Sequence, residues 1–383
     1  MAVPKLRFNE FDNQWDKTTI NDQAQTVTSG SRDWAQYYSE SGDKFIRMTN
    51  LVRDGIYLDL SDLKFVQLPK DSNEGKRTSL KFGDILISIT AELGKLGWIP
   101  EGLGTAYINQ HTALVRMKDS IDSKFVAYSL STEKYNNKLN SLNDSGAKAG
   151  LNLGTIRNFE LIVPPKAEQT KIASFLSNVD EKISQLTQKH QLLSQYKQGM
   201  MQKLFSQQIR FKADDGSEFG EWEDKTIEQI ANFRRGSFPQ PYGLPEWLDS
   251  NGFPFVQVYD VSDKMLLKER TKIKISQLAA DQSVFAKQGT LIITIQGSIG
   301  RIAKMQYDAY VDRTLLIFQS YNCEVDVDYF KYALFLLFNI EKERAEGAII
   351  KTITKETLSK FIVQLPCLEE QTKIANFLSA IDQ

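Results

Sequence analysis

Side chains able to grip nucleic acid stand in two sets, one in each half of the chain. In the second half, Arg234-Arg235-Gly-Ser-Phe-Pro-Gln-Pro241 joins two guanidinium groups to a turn. Gln257, Tyr259, Gln296, Ser298, Arg301, Arg313 and Lys351 lie on loops that match loops of the first half. There the matching loops carry Arg32, Arg47, Lys95, Gln110 and His111, with Lys148 inside the flexible basic run Gly146-Ala-Lys-Ala-Gly150. Arg, Lys, Asn and Gln read base edges through two-pronged hydrogen bonds, and cations also neutralise phosphates. Taken singly, each of these residues is also explained as a solvated surface residue, because roughly half to two-thirds of protein–DNA hydrogen bonds go to the backbone.

Two further patterns carry alternatives. Lys268, Arg270, Lys272 and Lys274 alternate, so on a strand all four point one way, either as a phosphate-facing stripe or as the wet face of an edge strand. The aromatic run Trp34-Ala-Gln-Tyr37-Tyr38 could stack on sugars or an extruded base, but core packing is the commoner fate of aromatics.

Catalytic chemistry is not visible. Only His111 and His190 occur, and no spacing of His, Cys, Asp or Glu resembles a metal site. His190 reads as a helix-seam residue and His111 as part of a polar loop. Gly102-Leu-Gly104 and Gly297-Ser-Ile-Gly300 are neither a dinucleotide fingerprint nor a phosphate loop. Val163-Pro-Pro165 lacks the preceding Asn or Asp that an amino-methyltransferase motif would use on its target amine. No cofactor or metal is expected on this chain, and no catalysis from it alone.

The elements that position these residues come in duplicate. Gln169-Thr-Lys-Ile-Ala-Ser-Phe-Leu-Ser-Asn-Val-Asp180 matches Gln371-Thr-Lys-Ile-Ala-Asn-Phe-Leu-Ser-Ala-Ile-Asp382 at nine of twelve positions, an offset of 202 (371 minus 169). Each copy follows an apolar strand-like run halted by proline, Phe159-Glu-Leu-Ile-Val-Pro-Pro and Phe361-Ile-Val-Gln-Leu-Pro. Arg7-Phe8 with Trp15-Asp-Lys-Thr18 recurs as Arg210-Phe211 with Trp222-Glu-Asp-Lys-Thr226. Phe82-Gly-Asp-Ile-Leu-Ile-Ser-Ile89 recurs as Lys287-Gln-Gly-Thr-Leu-Ile-Ile-Thr-Ile295, each a strand leading to glycine turns. Ala106-Tyr-Ile-Asn-Gln-His-Thr112 recurs as Ala309-Tyr-Val-Asp-Arg-Thr314, so the same strand presents different polar side chains in each copy. Ser123 to Asn140 and Asp326 to Ala345 read as helices. One scaffold with different loops is the simplest account.

From Gln169 to Phe205 no proline interrupts, and the apolar residues follow a 3.5-residue period. The seam Ile172, Leu176, Val179, Ile183, Leu186, His190, Leu193, Lys197, Met200 and Leu204 predicts a coiled-coil helix. The second copy stops at Gln383, aligned with Glu181, so a counterpart of Lys182 to Phe205 is expected from a longer chain or from a second one.

Size and composition bound the rest. At 383 residues the chain accommodates two or three domains, and 41% hydrophobic with 25% charged residues is ordinary for a folded globular protein. The most apolar stretch, Tyr329 to Phe338, contains a lysine and is too short for a bilayer span, which needs roughly 20 residues. The amino terminus shows no secretory pattern, and Cys323 and Cys367 form no CxxC pair, so the expectation is a cytoplasmic protein whose cysteines pack. With 47 basic and 48 acidic residues, any nucleic-acid face must be local.

With the Arg-Phe and Trp openings, the Gly-Asp-Ile-Leu-Ile-Ser strand, the Ala-Tyr-Ile-Asn-Gln strand and the Glu-Gln-x-x-Ile-Ala-x-Phe-Leu helix start, each in duplicate over nearly the whole length, the chain resembles the specificity subunits of type I restriction-modification enzymes. The resemblance implies an α+β chain: two similar α/β target recognition domains, 1–165 and 207–367, joined by long coiled-coil spacer helices in a pseudo-twofold repeat. The spacers would be 166–206 and the start of a second at 368–383. It implies a non-catalytic subunit that reads a bipartite, asymmetric site in double-stranded DNA, one half per domain. Its helices would dock two modification (methyltransferase) subunits, with restriction subunits attached indirectly and no membrane involved. S-adenosylmethionine, ATP and Mg would sit on those partner subunits. Other readings remain at this stage: a coiled-coil scaffold joining protein partners, a half-functional subunit acting as a dimer, and a methyltransferase in its own right.

Overall fold

The computed structural model describes residues 4, 6–69, 73, 75–142, 150–344 and 353–382. Contacts divide the chain into two units, Met1–Leu186 and Thr187–Gln383. The division falls inside a continuous 40-residue helix, Lys166–Phe205, here called the spacer helix. At about 1.5 Å per residue it is roughly 60 Å long.

Each unit is α+β and is built to the same plan. In the first, a four-stranded sheet runs in the order Ala24–Ser29, Thr112–Met117, Ile85–Ser88, Leu96–Trp98. Its counterpart in the second unit is Ala231–Arg235, Leu315–Tyr321, Leu291–Thr294, Ile302–Lys304. All four residues of Ile85–Ser88 and all four of Leu291–Thr294 are buried. Side chains alternate across a strand, so an uninterrupted apolar strand must be covered on both faces. Ile85 and Ile87 meet the helix Ser123–Ser131, whereas Leu86 and Leu114 meet Ile46, Ala106 and Ile108 of a second sheet. Ile293 and Leu316 likewise meet Tyr329, Phe330 and Leu334, while Ile292 and Ile317 meet Val256, Ala309 and Val311.

The second sheet of each unit centres on a parallel pair, Asp43–Ile46 with Ala106–Ile108 and Leu248–Val256 with Ala309–Val311. Here the units diverge. The first adds Tyr38–Ser39 beyond Lys64–Val66, and the second adds Val284–Ala286 on the other side, beside Ala309–Val311. Of the aromatic run, Trp34 is core, buried against Phe45 and Tyr107 at ring distances of 4.9 and 5.3 Å, Tyr37 is half-buried beside it, and Tyr38 is exposed.

The near-identical helix starts close each unit through side chains. Glu168 is fully buried and accepts from Arg7 Nε and Nη2, both at 2.7 Å, while Glu370 accepts from Arg210 at 3.0 and 2.7 Å. Gln169 Nε2 donates to Pro164 O at 2.7 Å and its Oε1 accepts from Asp122 N at 2.8 Å; Gln371 does the same with Pro366 O and Asp326 N at 2.8 and 2.9 Å. Asp122 in turn caps the helix Ser123–Ser131, accepting from Lys124 N and Phe125 N. At the far end of the repeat, Tyr128 donates to Asp180 at 2.6 Å and Tyr332 to Asp382 at 3.0 Å.

Four expectations change. The helix expected over Ser123 to Asn140 is two, Ser123–Ser131 and Glu133–Ser141, because Thr132 leaves the helical region and caps the second. Lys268, Arg270, Lys272 and Lys274 share no strand: only Ile273–Ile275 is extended, at a sheet edge, and Lys272 lies over the Tyr259 ring at 5.0 Å. Cys367 is exposed rather than packed. The spacer seam is covered only towards its ends, where Ala173 packs in the first unit and Met201 and Leu204 in the second. Met201 rather than Met200 is buried there, and Val179, Ile183, Leu186, His190 and Leu193 are exposed.

Candidate functional site

Strand direction brings the ends of five strands in each unit to one place. In the first unit Ser88 pairs with Thr112, Ser29 with Ala113 and Ile46 with Ile108. The carboxyl ends of three strands therefore gather around the turn 109–111 that joins Ala106–Ile108 to Thr112–Met117. In the second unit Thr294 pairs with Leu315, Arg235 with Leu316 and Val256 with Val311, gathering around 312–314.

The turn is held identically twice. Asn109 O accepts from Thr112 N at 3.2 Å and Asn109 Oδ1 from His111 N at 3.2 Å; Asp312 O accepts from Leu315 N at 3.0 Å and Asp312 Oδ1 from Thr314 N at 2.9 Å. Gly30 N donates to Thr112 O and Gly236 N to Leu315 O, at 3.3 and 3.0 Å. Residues 106–112 thus match 309–315 without a gap, at an offset of 203 (309 minus 106). His111 corresponds to Thr314 and Thr112 to Leu315.

All described sequence candidates lie at this end of their unit, in different states. Arg32 is exposed, next to Ser31, which bridges to Asn109. Gln110 Nε2 is 3.0 Å from His111 Nε2, and His111 Nδ1 is 2.8 Å from Thr90 Oγ1. Arg47 is engaged by Asp62 at 2.7 Å and Lys95 by Glu92, so their charges are partly neutralised. In the second unit Arg234 and Arg235 end their strand exposed. Arg313 is exposed and lies over the Tyr242 ring at 4.9 Å. Gln257 accepts from the Tyr259 hydroxyl, and Arg301 Nη1 donates to Val261 O at 3.1 Å. Gln296 and Ser298 sit in the turn between Leu291–Thr294 and Ile302–Lys304, beside Thr314, whose carbonyl accepts from Ile295 N at 2.9 Å. Lys148 and Lys351 lie outside the described residues.

Sequence reasoning missed the groups that fix this turn. Tyr242 donates to the buried Asp312 carboxylate, and burial followed by that carboxylate raises its phenol, which keeps it a neutral donor. Asn109 and Asp312 did carry a signal, standing at the same place in the repeated Ala-Tyr-Ile and Ala-Tyr-Val strands. A fixed frame that presents forked donors and acceptors can form two-pronged hydrogen bonds with base edges. Neighbouring exposed arginines suit phosphates. Among the described residues, no group of three or more His, Cys, Asp or Glu could hold a metal ion.

Comparison with known proteins gives the same duplication. The family model described as type I restriction modification DNA specificity domain matches twice, over residues 13–195 and 220–383. A Methanocaldococcus jannaschii protein provisionally named the type I restriction enzyme MjaX specificity subunit is 25% identical over 397 residues, covering 99% of this chain and 89% of that protein. The type I restriction enzyme EcoBI specificity subunit of Escherichia coli is 23% identical over 319 residues, covering 76% of this chain and 65% of that protein. Among solved structures, the S subunit of a type I restriction-modification system from M. genitalium shares the fold at a TM-score of 0.67 and 17% identity, covering 100% of this chain and 92% of that one.

Proposed function

Because the chain belongs to the type I restriction-modification DNA specificity family, we propose that each of its two units reads one half of a bipartite, asymmetric site in double-stranded DNA. The chain is a non-catalytic specificity subunit that works with DNA and with the other subunits of its restriction-modification system. Its helices dock two modification subunits, and restriction subunits join through them. S-adenosylmethionine, ATP and Mg bind those partners. Residues 1–165 and 207–367 serve as the recognition domains, with 166–206 as the spacer and 368–383 as the start of a second. Among the described residues no helix is long and apolar enough to cross a membrane, and the cytoplasm, where the DNA is, is the place of action.

One observation carries this reading: the family's domain occurs twice, and the two copies hold the same turn while presenting different side chains. Two equal frames with unequal contact groups read two unequal half-sites. The test is the methylome of a host carrying this chain and its modification subunits. It is expected to show one split motif with a fixed gap, and the absence of any bipartite motif would overturn the reading.

Electrostatics offers a second check. The double variant Arg234→Ala/Arg235→Ala, assembled with modification subunits, should bind its site with a shallower salt dependence. The slope of log K against log salt is expected to fall by about 0.9 for each lost phosphate contact, about 1.8 for two. A wild-type complex whose affinity ignores salt would instead favour a protein-joining scaffold.

A further inference from the structure

The middle residue of the turn, Gln110 in one unit and Arg313 in the other, has a property that its neighbours lack. Its flanking residues build the frame. Asn109 and Asp312 close the turn with their side chains and carbonyls. Thr112 and Leu315 hold it to Gly30 and Gly236. In both copies the side chain at the middle position takes no part in closing the turn, and Arg313 is exposed while Gln110 is half-buried.

Each of these side chains is also pre-oriented. Arg313 lies over the Tyr242 ring at 4.9 Å, and Tyr242 is itself tied through its hydroxyl to the buried Asp312. Gln110 is 3.0 Å from His111 Nε2, and His111 is fixed from its other nitrogen by Thr90 at 2.8 Å. Holding a forked group in place reduces the ordering cost of binding. It also turns a diffuse charge or dipole into a directional one.

We propose that this middle position is the base-reading position of each unit: Arg313 reads a guanine in the second unit's half-site, and Gln110 reads an adenine in the first unit's half-site. The chemistry follows from the two forks. A guanidinium donates twice to the O6 and N7 acceptors of guanine, and a carboxamide both donates and accepts at N7 and N6 of adenine. Arg234 and Arg235 then contact phosphates, which position the duplex without specifying it. The proposal rests on the DNA-reading function given above and adds which residue reads which base.

The experiment uses the full chain with its modification subunits in a host, with the methylome as readout, for wild type, Arg313→Gln, Arg313→Lys and Gln110→Arg. Arg313→Gln should weaken the demand for guanine at one position of one half-site, by roughly 5- to 150-fold in discrimination, and leave the other half-site intact. Arg313→Lys loses the planar fork but keeps a cation that can donate to O6 and N7 of guanine, so it should keep the guanine preference in weaker form than wild type and in stronger form than Arg313→Gln. Gln110→Arg should alter one position of the opposite half-site only. If Arg313→Gln lowers methylation at all sites without changing the motif, Arg313 is a phosphate contact and the assignment fails. A wild-type motif that every variant leaves intact overturns the assignment alone, whereas a wild type without a bipartite motif overturns the DNA-reading function beneath it.

Discussion

Arg210→Met is expected to lower the stability of the second unit by about 3 kcal/mol, read as a fall of about 6 to 12 °C in its thermal transition. Glu370 is fully buried and accepts both forks of Arg210, at 3.0 and 2.7 Å, with Trp222 Nε1 as a third donor at 3.0 Å. Methionine fills similar volume and removes the charge, so the carboxylate is left in the interior with one neutral donor. The lower end of the range for broken buried pairs applies because the Arg210 side chain retains 23% exposure, which lets water partly replace it. Adding Glu370→Gln should recover much of the loss, since removing both charges leaves no unpaired one. Scanning calorimetry of the full chain checks both. A single variant within about 2 °C of wild type would mean that the ion pair does not hold the unit closed. Arg7→Met should move the first unit's transition in the same direction through Glu168.

That pair also explains what was legible in the sequence. The duplicated letters around Gln169 and Gln371 are conspicuous because many of them are in use: Glu168 and Glu370 take the arginines, Gln169 and Gln371 hold the residue that starts the preceding helix, and Asp180 and Asp382 take a tyrosine. Local constraints of this kind cannot drift without cost. Partner choice between distant strands leaves no such mark. The repeat marks Ala106–Ile108 as strand, but not that it pairs in parallel with Asp43–Ile46, and the register that gathers the candidate residues at one end follows from that pairing.

The candidate site was legible in kind rather than in state. The repeat pointed to the loops, and the described candidates do converge on the ends of the strands. Whether a cation is free is decided by groups far away in sequence: Arg47 meets Asp62, and Arg301 meets the carbonyl of Val261. The apparent stripe from Lys268 to Lys274 failed for a related reason. Alternation implies a shared face only if the whole segment is extended, and here Asp260 draws in the backbone of Lys268 and Lys272, whose amides donate to it at 2.9 and 3.1 Å. At the carboxyl end of the helix Leu204 is buried as its seam position implies, but Met201 takes the place of Met200, because packing on a globular unit, not a strict heptad partner, covers them.

Gly236→Ala should be the most damaging single change near the site, costing about 4 kcal/mol or more. A Cβ at Gly236 would lie 2.2 Å from Val311 O and 2.4 Å from Asp312 O, both backbone atoms that cannot rotate away. Gly30 faces the same obstruction from Ile108 O at 2.2 Å and Asn109 O at 2.3 Å. The close approach lets the chain pass from one sheet to the other over the turn, and it places Arg235 beside the frame that carries Arg313. Relief requires parting Gly236 from the turn, which breaks its hydrogen bond to Leu315 O and separates the two sheets where the contact groups meet. Gly220→Ala is the control, because nothing lies within 4 Å of a Cβ there. The expected result in the full chain is a second-unit transition lowered by about 8 °C or more, with DNA binding through that unit lost, while Gly220→Ala behaves as wild type. If Gly236→Ala instead melts with wild type and keeps the methylation motif, the two sheets do not need this crossing and the turn is not the rigid frame described above.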